Sequence, residues 1–427
     1  MDNPKQAPKK KNSAYIVLAN REFNAFLFFR LFFTIATEMT AIIVGWQVLE
    51  ISHDNPLALG LIGLAEALPA IGISLYAGHI ADLFSRKKII ALCLAGVVIC
   101  TLALGLFTLH GSFMLLQFGV LPIYIVLFFT GIARGFIGPA VFGFVGQIVP
   151  RELYQSSSAW NSSVWQFGAV AGPALGGLLY GFEGVTASYF AVFILLLVSF
   201  VALTFIKAKP IIGRVANEPT LKRLRAGIRF VFGNQILLSA LSLDLFAVLF
   251  GGATALLPIF AKLLHTGPMG LGLLRAAPAV GSVLMGVYLA HHLPAVNSGR
   301  KFLLCVTGFG LCMVAFAVSR NFYLSFFLLF LSGVFDNVSV VIRQTIIQLL
   351  TPDNMRGRVS SVNSIFLSSS NEIGSFESGI AAKIMGIVPS VIFGGVMTIV
   401  VVISTLFLAP NLKKLNIKDL KEEKEEG

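Results

Sequence analysis

Apolar runs alternate with short charged stretches along nearly the whole chain. The pattern predicts helices over 23–50, 57–81, 88–109, 117–149, 160–181, 185–206, 236–262, 270–292, 301–319, 322–350, 359–385 and 388–409. A bilayer core takes about 20 predominantly apolar residues of helix to cross, so each run matches one crossing. The longer runs must tilt or extend into water. Composition points the same way, with 56% hydrophobic and 12% charged residues, against about 25% charged in a soluble domain. The fold expected is an all-α membrane protein of about twelve transmembrane helices.

The cations give the orientation. Lys5, Lys9, Lys10, Lys11 and Arg21 precede the first span, Arg86, Lys87 and Lys88 follow the second, and Arg151 follows the fourth. Seven more, from Lys207 to Arg229, fill the central connection. Arg300, Lys301, Arg356, Arg358 and the Lys413–Lys424 stretch continue the series, while the alternate loops hold little beyond Glu50, His53, Asp54, Glu183, His265 and Arg320. Positive loops stay on the cytoplasmic side, so both termini are expected there. The net charge of +12 therefore reports topology. A nucleic-acid surface would gather its cations on one face, and no nucleic-acid partner is expected.

Several classes drop out. The first span is too long for a secretory signal and lacks a small-residue cleavage site, so no cleaved leader is expected. Cys93, Cys100, Cys305 and Cys312 all fall within apolar spans; each pair is seven residues apart on one helix, roughly 10 Å, too far for a disulfide. No phosphate-binding GxxxxGK[ST] loop, HExxH or Cys/His zinc spacing is present, and the loops are short. An enzyme is not expected, nor a cofactor or metal, nor a channel filter.

The connection at 207–235 divides the chain, and the two parts repeat weakly. "VPRELYQSSSAWNSS" (149–163) has a counterpart in "TPDNMRGRVSSVNSI" (351–365), and Pro150/Pro352, Asn161/Asn363, Gly172/Gly374 and Gly177/Gly379 are all 202 residues apart. Duplicated six-helix units are common in secondary transporters. The expected domains are a tail at 1–22, pseudo-symmetric six-helix halves at 23–206 and 236–409, a linker at 207–235 and a tail at 410–427. Leu221, Leu224, Ile228 and Val231 fall at helical spacing among linker cations, the pattern of an amphipathic helix on the inner leaflet. The final "KKLNIKDLKEEKEEG" reads as a solvated, frayed end.

"GHIADLFSRKK" (78–88) closes the second span, where Gly78, Asp82, Arg86 and Lys87 resemble the G-x-x-x-D-R-x-G-R-R/K loop of the major facilitator superfamily. Leu83 stands where that loop has a basic residue and Ser85 where it has glycine. The positive-inside rule accounts for the cations but not for Asp82. The resemblance implies a latch that holds the cytoplasmic side shut, with Asp82 set at the start of the helix near Val359, where the helix dipole favours an anion. The matching place in the second half, "GVYLAHHLPAVNSGRKF", has Ala290 where the aspartate would stand, so the latch is one-sided. "GAVAGPALGG" in the fifth span, with Gly168, Gly172, Pro173, Gly176 and Gly177, resembles the glycine-proline motif of the superfamily's proton-linked drug antiporters. Stretches 335–379 and 44–72 look like the branch that includes the enterobactin exporter and macrolide efflux proteins.

Ionisable residues inside a membrane are costly and tend to be paired and functional. Here they are Arg30, Glu38, Glu66, Arg134, Asp244, Arg275, Asp336, Arg343, Glu372, Glu377 and Lys383. Arg30, Arg275 and Lys383 are expected to snorkel to the interfaces. Asp336 and Arg343, two turns apart on one face, suit a bridge through a neighbour. Drug antiporters of the superfamily often pair a first-helix acid with a fourth-helix arginine. By that resemblance Glu38 is the proton-coupling candidate and Arg134 its partner, with Asp244 and Asp336 the next acids; a purely structural pair is the other reading. Trp46, Gln47, Trp165, Gln166, Arg343, Glu372 and Glu377 are candidate walls of a substrate cavity.

Together these features imply an alternating-access secondary transporter of the major facilitator type, a monomer in a bacterial inner membrane. Its expected partners are the lipid bilayer, protons and an amphipathic organic substrate, drug or siderophore-like, moved outward by antiport. A lysophospholipid transporter or an uptake symporter of the same fold would share the pattern. If the loop is a latch, Asp82→Asn will raise the cytoplasmic accessibility of cysteines placed in the cavity. Equal labelling rates in variant and parent would remove the latch.

Overall fold

The computed structural model of the protein describes residues 13–109, 113–210, 220–292, 294, 296–352 and 355–420. Helices form where the apolar runs lie: α1 (Arg21–Ile51), α2 (Pro56–Leu83), α3 (Arg86–Phe107), α4 (Leu121–Ile148), α5 (Tyr154–Thr204), α6 (Thr220–Gly233), α7 (Gln235–Gly251), α8 (Leu257–Leu263), α9 (Gly267–His291), α10 (Ser298–Val318), α11 (Phe322–Leu350), α12 (Arg356–Met385) and α13 (Ile387–Leu408). Asparagines start four of them. The side chains of Asn20, Asn55, Asn234 and Asn321 accept first-turn N–H groups of α1, α2, α7 and α11, satisfying donors that a helix start leaves free.

Among the described residues, ten helical stretches are long and apolar enough to cross a membrane. Two of the twelve expected crossings are hidden from that count. The 51-residue α5 crosses twice, breaking at Gly184, whose φ of 81° only glycine adopts readily. The 30-residue α12 has the length but carries too many polar residues. The expected seventh crossing is interrupted at Gly252 and continues through a 3-10 turn into α8.

Glycines set the helix contacts in the first half. A Cβ on Gly168 would lie 2.7 Å from Thr34, one on Gly172 2.6 Å from the Glu38 Cβ, and one on Gly176 3.1 Å from the Met39 Cα. Spaced by four, these glycines form a groove on α5 that receives α1. The expected tight packing of the glycine-proline motif is therefore present, and its receiving partner is α1.

The halves meet at the face opposite the termini. Gly60 of α2 lies on Gly379 of α12, where an added Cβ would be 3.0 Å from the Gly379 Cα. Gly177 of α5 lies on α9, where a Cβ would be 2.5 Å from the Pro268 oxygen. Lys262 Nζ donates to Asp54 at 2.6 Å across the same face. One hydrophobic cluster joins the first half to the far-side ends of the second, through residues such as Phe260, Leu271, Phe316 and Leu329. A separate cluster, with Leu241, Phe302, Ile342, Ile346 and Val359, fills the termini-side end of the second half. Among the described residues, then, the buried core is continuous between halves on the far side and divided on the termini side.

One expectation changes. The C-terminal stretch is docked as far as Ile417: Leu412, Leu415 and Ile417 are buried, and the Gly299 N–H donates to the Leu415 carbonyl at 3.0 Å. The apolar positions of "LNI" outweigh the neighbouring lysines. Arg30 is half-buried, and its Nε has no hydrogen-bond partner among the described residues. The repeat has a structural trace as well, because Asn161 and Asn363 each bury an Oδ1 without a hydrogen-bond partner.

The far-side seam tolerates no side chain at Gly177. With cysteines at positions 54 and 262, Gly177→Val is expected to lower cross-linking across the far face several-fold. Unchanged cross-linking would show that the seam does not govern closure.

Candidate functional site

The middle of the bundle is organised by Arg134. Gly131 and Gly135 bring α4 onto α2: a Cβ on Gly131 would lie 2.8 Å from the Pro69 ring, and one on Gly135 3.0 Å from the Ala70 oxygen. That close approach places Arg134 beside Glu66, and its Nη1 is 2.8 Å from Glu66 Oε1. Its Nη2 is 3.9 Å from Glu372 Oε1 on α12, in the other half. Gly63 makes room for that carboxylate, because a Cβ there would lie 3.4 Å from Glu372 Oε2. Glu38 and Arg275 lie within electrostatic reach, Glu38 of Arg134 and Arg275 of Glu372. The Arg134 side chain is 47% exposed, against 21% and 24% for its two carboxylate partners, so its charge borders the space between halves. Gly138 and Phe142, one and two turns further along α4, are also open, Phe142 at 88%.

The expected pairing is redistributed: among the described residues Arg134 makes no ion pair with Glu38, Glu66 holds it, and Glu372 bridges it to the second half. A glutamate ten residues into α2 lies roughly 15 Å along the helix, level with the middle of α4, which a span boundary uncertain by several residues could not show. Arg275, nine residues into α9, acts on Glu372 only at a distance and makes no ion pair among the described residues. Glu377 is half-buried on α12, with no ion pair among the described residues.

Other candidates belong elsewhere. Trp46 and Gln47 are 7% and 5% exposed: Trp46 Nε1 donates to Glu50 Oε1 at 2.6 Å, and Gln47 Oε1 accepts from the Tyr189 hydroxyl at 2.6 Å. They join α1 to α5 inside the first half and form no cavity wall. Tyr180 completes the knot by donating to Glu50 Oε2 at 2.8 Å. Trp165 is 45% exposed and Gln166 half-buried. Arg343 is also no cavity wall: it is 1% exposed and pairs with Asp244, and the bridge expected between it and Asp336 is absent among the described residues.

At the end of α2, the surroundings of Gly78 and the side chain of Asp82 lie outside what the structure describes. Arg86 Nη1 donates to the Gly143 carbonyl at 2.8 Å, and a Cβ on Gly143 would lie 2.6 Å from the guanidinium carbon. Lys87 Nζ donates to the carbonyls of Thr204, at 3.3 Å, and Ile206, at the last turn of α5, where a cation is favoured. These bonds brace α4 and α5 within the first half.

Comparison with known proteins fits this architecture. Residues 12–425 match a family model described as "Transmembrane secretion effector". The chain belongs to this family of the major facilitator superfamily. It is a secondary transporter and a multi-pass membrane protein, not an enzyme. Similar proteins include the enterobactin exporter of Citrobacter koseri, 27% identical over 296 residues and 67% of each chain. That of Shigella boydii is 24% identical over 350 residues and 80% of each chain. Among solved structures, a D-xylose-proton symporter superposes with TM-score 0.71 at 13% identity, covering 94% of this chain and 100% of the other. A POT family transporter in complex with 5-aminolevulinic acid gives 0.71 at 12%, covering 92% and 97%. These likenesses show the fold.

Removing one partner of a buried ion pair costs about 3–5 kcal/mol, and partial exposure of Arg134 reduces this toward about 1–2 kcal/mol. Glu66→Gln is therefore expected to lower the thermal midpoint of purified protein more than Glu38→Gln does. The reverse order would show that Glu66 is not the main partner.

Proposed function

We propose that the protein exports an amphipathic organic molecule in exchange for protons, and that the cluster around Arg134 is where the two compete. The observation that carries this is the bridge from Arg134 to an acid of each half. The excess of cations in the termini-side loops supports cytoplasmic termini, and on that reading the described closure is on the outer face. In this state the ionised acids and Arg134 hold α4 to α12, and an empty transporter is held closed outside. A substrate that displaces Glu372 from Arg134, or a proton that neutralises an acid, weakens the bridge and permits the other conformation. Exchange follows because the empty, deprotonated form is the one held.

The outward direction is supported by the exporters among the relatives. The partly exposed Arg134, flanked by two carboxylates, suits a molecule with polar parts. For the loop after α2, the latch is Asp82 meeting the start of α12 near Val359, while Arg86 and Lys87 brace the neighbouring α4 and α5.

In proteoliposomes with an imposed pH gradient, a fluorescent lipophilic cation is expected to accumulate, and Glu66→Gln or Glu372→Gln to slow this about tenfold, or about 1.4 kcal/mol. Glu38→Gln should slow it less. Gradient-driven transport at parent rates in both Glu66→Gln and Glu372→Gln would overturn the assignment of the cluster.

A further inference from the structure

The second half encloses a group of charges that takes no part in the central cluster. Asp244 on α7 is 4% exposed and Arg343 on α11 is 1% exposed; Arg343 Nη1 donates to Asp244 Oδ2. A small cavity lies beside them, its polar lining made by Asp244, Asp336 and Ser339 and its apolar lining by Ala247, Val248, Val306 and Phe309. At its centre there is room for about one water-sized occupant.

Charge balance makes this group unusual. Two carboxylates face one guanidinium, which leaves one negative charge in excess at membrane depth, where an unpaired charge costs several kcal/mol. Asp336 has no side-chain hydrogen bond or ion pair among the described residues, and Ser339 Oγ donates to its backbone carbonyl, not to its carboxylate. The charged groups acting on Asp336 are Asp244, from α7, and Arg343, from its own helix; α10 presents only Val306 and Phe309 to the cavity. Arg343 is also half-satisfied, since its Nε is buried without a partner. Asp336 and Arg343 are seven residues apart, on one face of α11, so a rotation of the arginine side chain would carry it from Asp244 toward Asp336.

The repeat places Asp336 at a position of consequence. Gly131 and Gly333 are 202 residues apart, and so are Arg134 and Asp336. Both glycines seat their helix on a proline-bearing neighbour, Gly131 on Pro69 and Gly333 on Pro278. The second half thus carries an acid where the first carries its central arginine.

We propose that Asp336 is a proton-binding site of the second half, separate from the Arg134 cluster, and that its deprotonation lets it compete with Asp244 for Arg343. The proton enters from water in the cavity and adds to the Asp336 carboxylate; Arg343 then stays on Asp244, and no other bond changes. A metal cation fits poorly, because hard cations such as calcium and magnesium take about six or more oxygen ligands and the lining offers three oxygen-bearing side chains. Shared between two aspartates, Arg343 would set how α7 lies against α11.

The test is infrared difference spectroscopy of the purified full-length protein across a pH titration, with no substrate added. One protonated-carboxyl band is expected to appear as pH falls, to vanish in Asp336→Asn, to move in frequency in Asp336→Glu, and to persist in Glu66→Gln and Glu372→Gln. Bands that respond to Glu66→Gln or Glu372→Gln alone would overturn this proposal while leaving the central cluster as a proton site. A band unchanged in both Asp336 variants would also overturn it. So would a band abolished when potassium chloride is replaced by sodium chloride at fixed pH, which would make the occupant a metal ion. Persistence of the Asp336 band alongside failed dye transport would separate the two readings.

Discussion

An arginine inside a membrane protein must be paired or face water, and Arg134 does some of each. Its guanidinium lies 2.8 Å from Glu66 in its own half and 3.9 Å from Glu372 in the other. The rest of the architecture serves that arrangement. Gly131 and Gly135 bring α4 close enough to α2 for the short contact, and Gly63 leaves space for the Glu372 carboxylate. Were these glycines larger, the charges would be separated by the width of a side chain, and desolvation would no longer be offset.

The seam between halves follows the same logic on a larger scale. Without a hydrophobic driving force between helices in lipid, close van der Waals contact through small residues does the work. Gly60 against Gly379, and Gly177 against α9, close the far side with backbone approaching backbone. The termini side has no such continuity among the described residues, since its second-half core is a separate cluster. A glycine seam at one end, a charge bridge in the middle and a divided core at the other end describe two bodies that can rock.

Much of this was legible in the chain. The apolar runs gave the helices to within a few residues for most elements, and 322–350 agrees at both ends with α11. Pattern gave the sharp break between the fifth and sixth crossings too, at Gly184. What stayed hidden was direction. Trp46 and Gln47 looked like cavity groups because aromatic and amide side chains suit amphipathic molecules, yet their azimuth on α1 turns them toward α5. Glu66 was seen as a charge but not as the partner of Arg134, because pairing depends on relative helix height. Leu412, Leu415 and Ile417 were outweighed by the lysines around them.

The central claim is that the Arg134–Glu372 bridge holds the far face closed. Spin-label distances between residues 51 and 263 on that face, measured in parent and Glu372→Gln at pH 8 and again at pH 5.5, test it most directly. The account predicts a single short distance in the parent at pH 8. A longer, more open population should appear in the parent at pH 5.5 and in Glu372→Gln at both pH values. The same short distance in all four samples would contradict it.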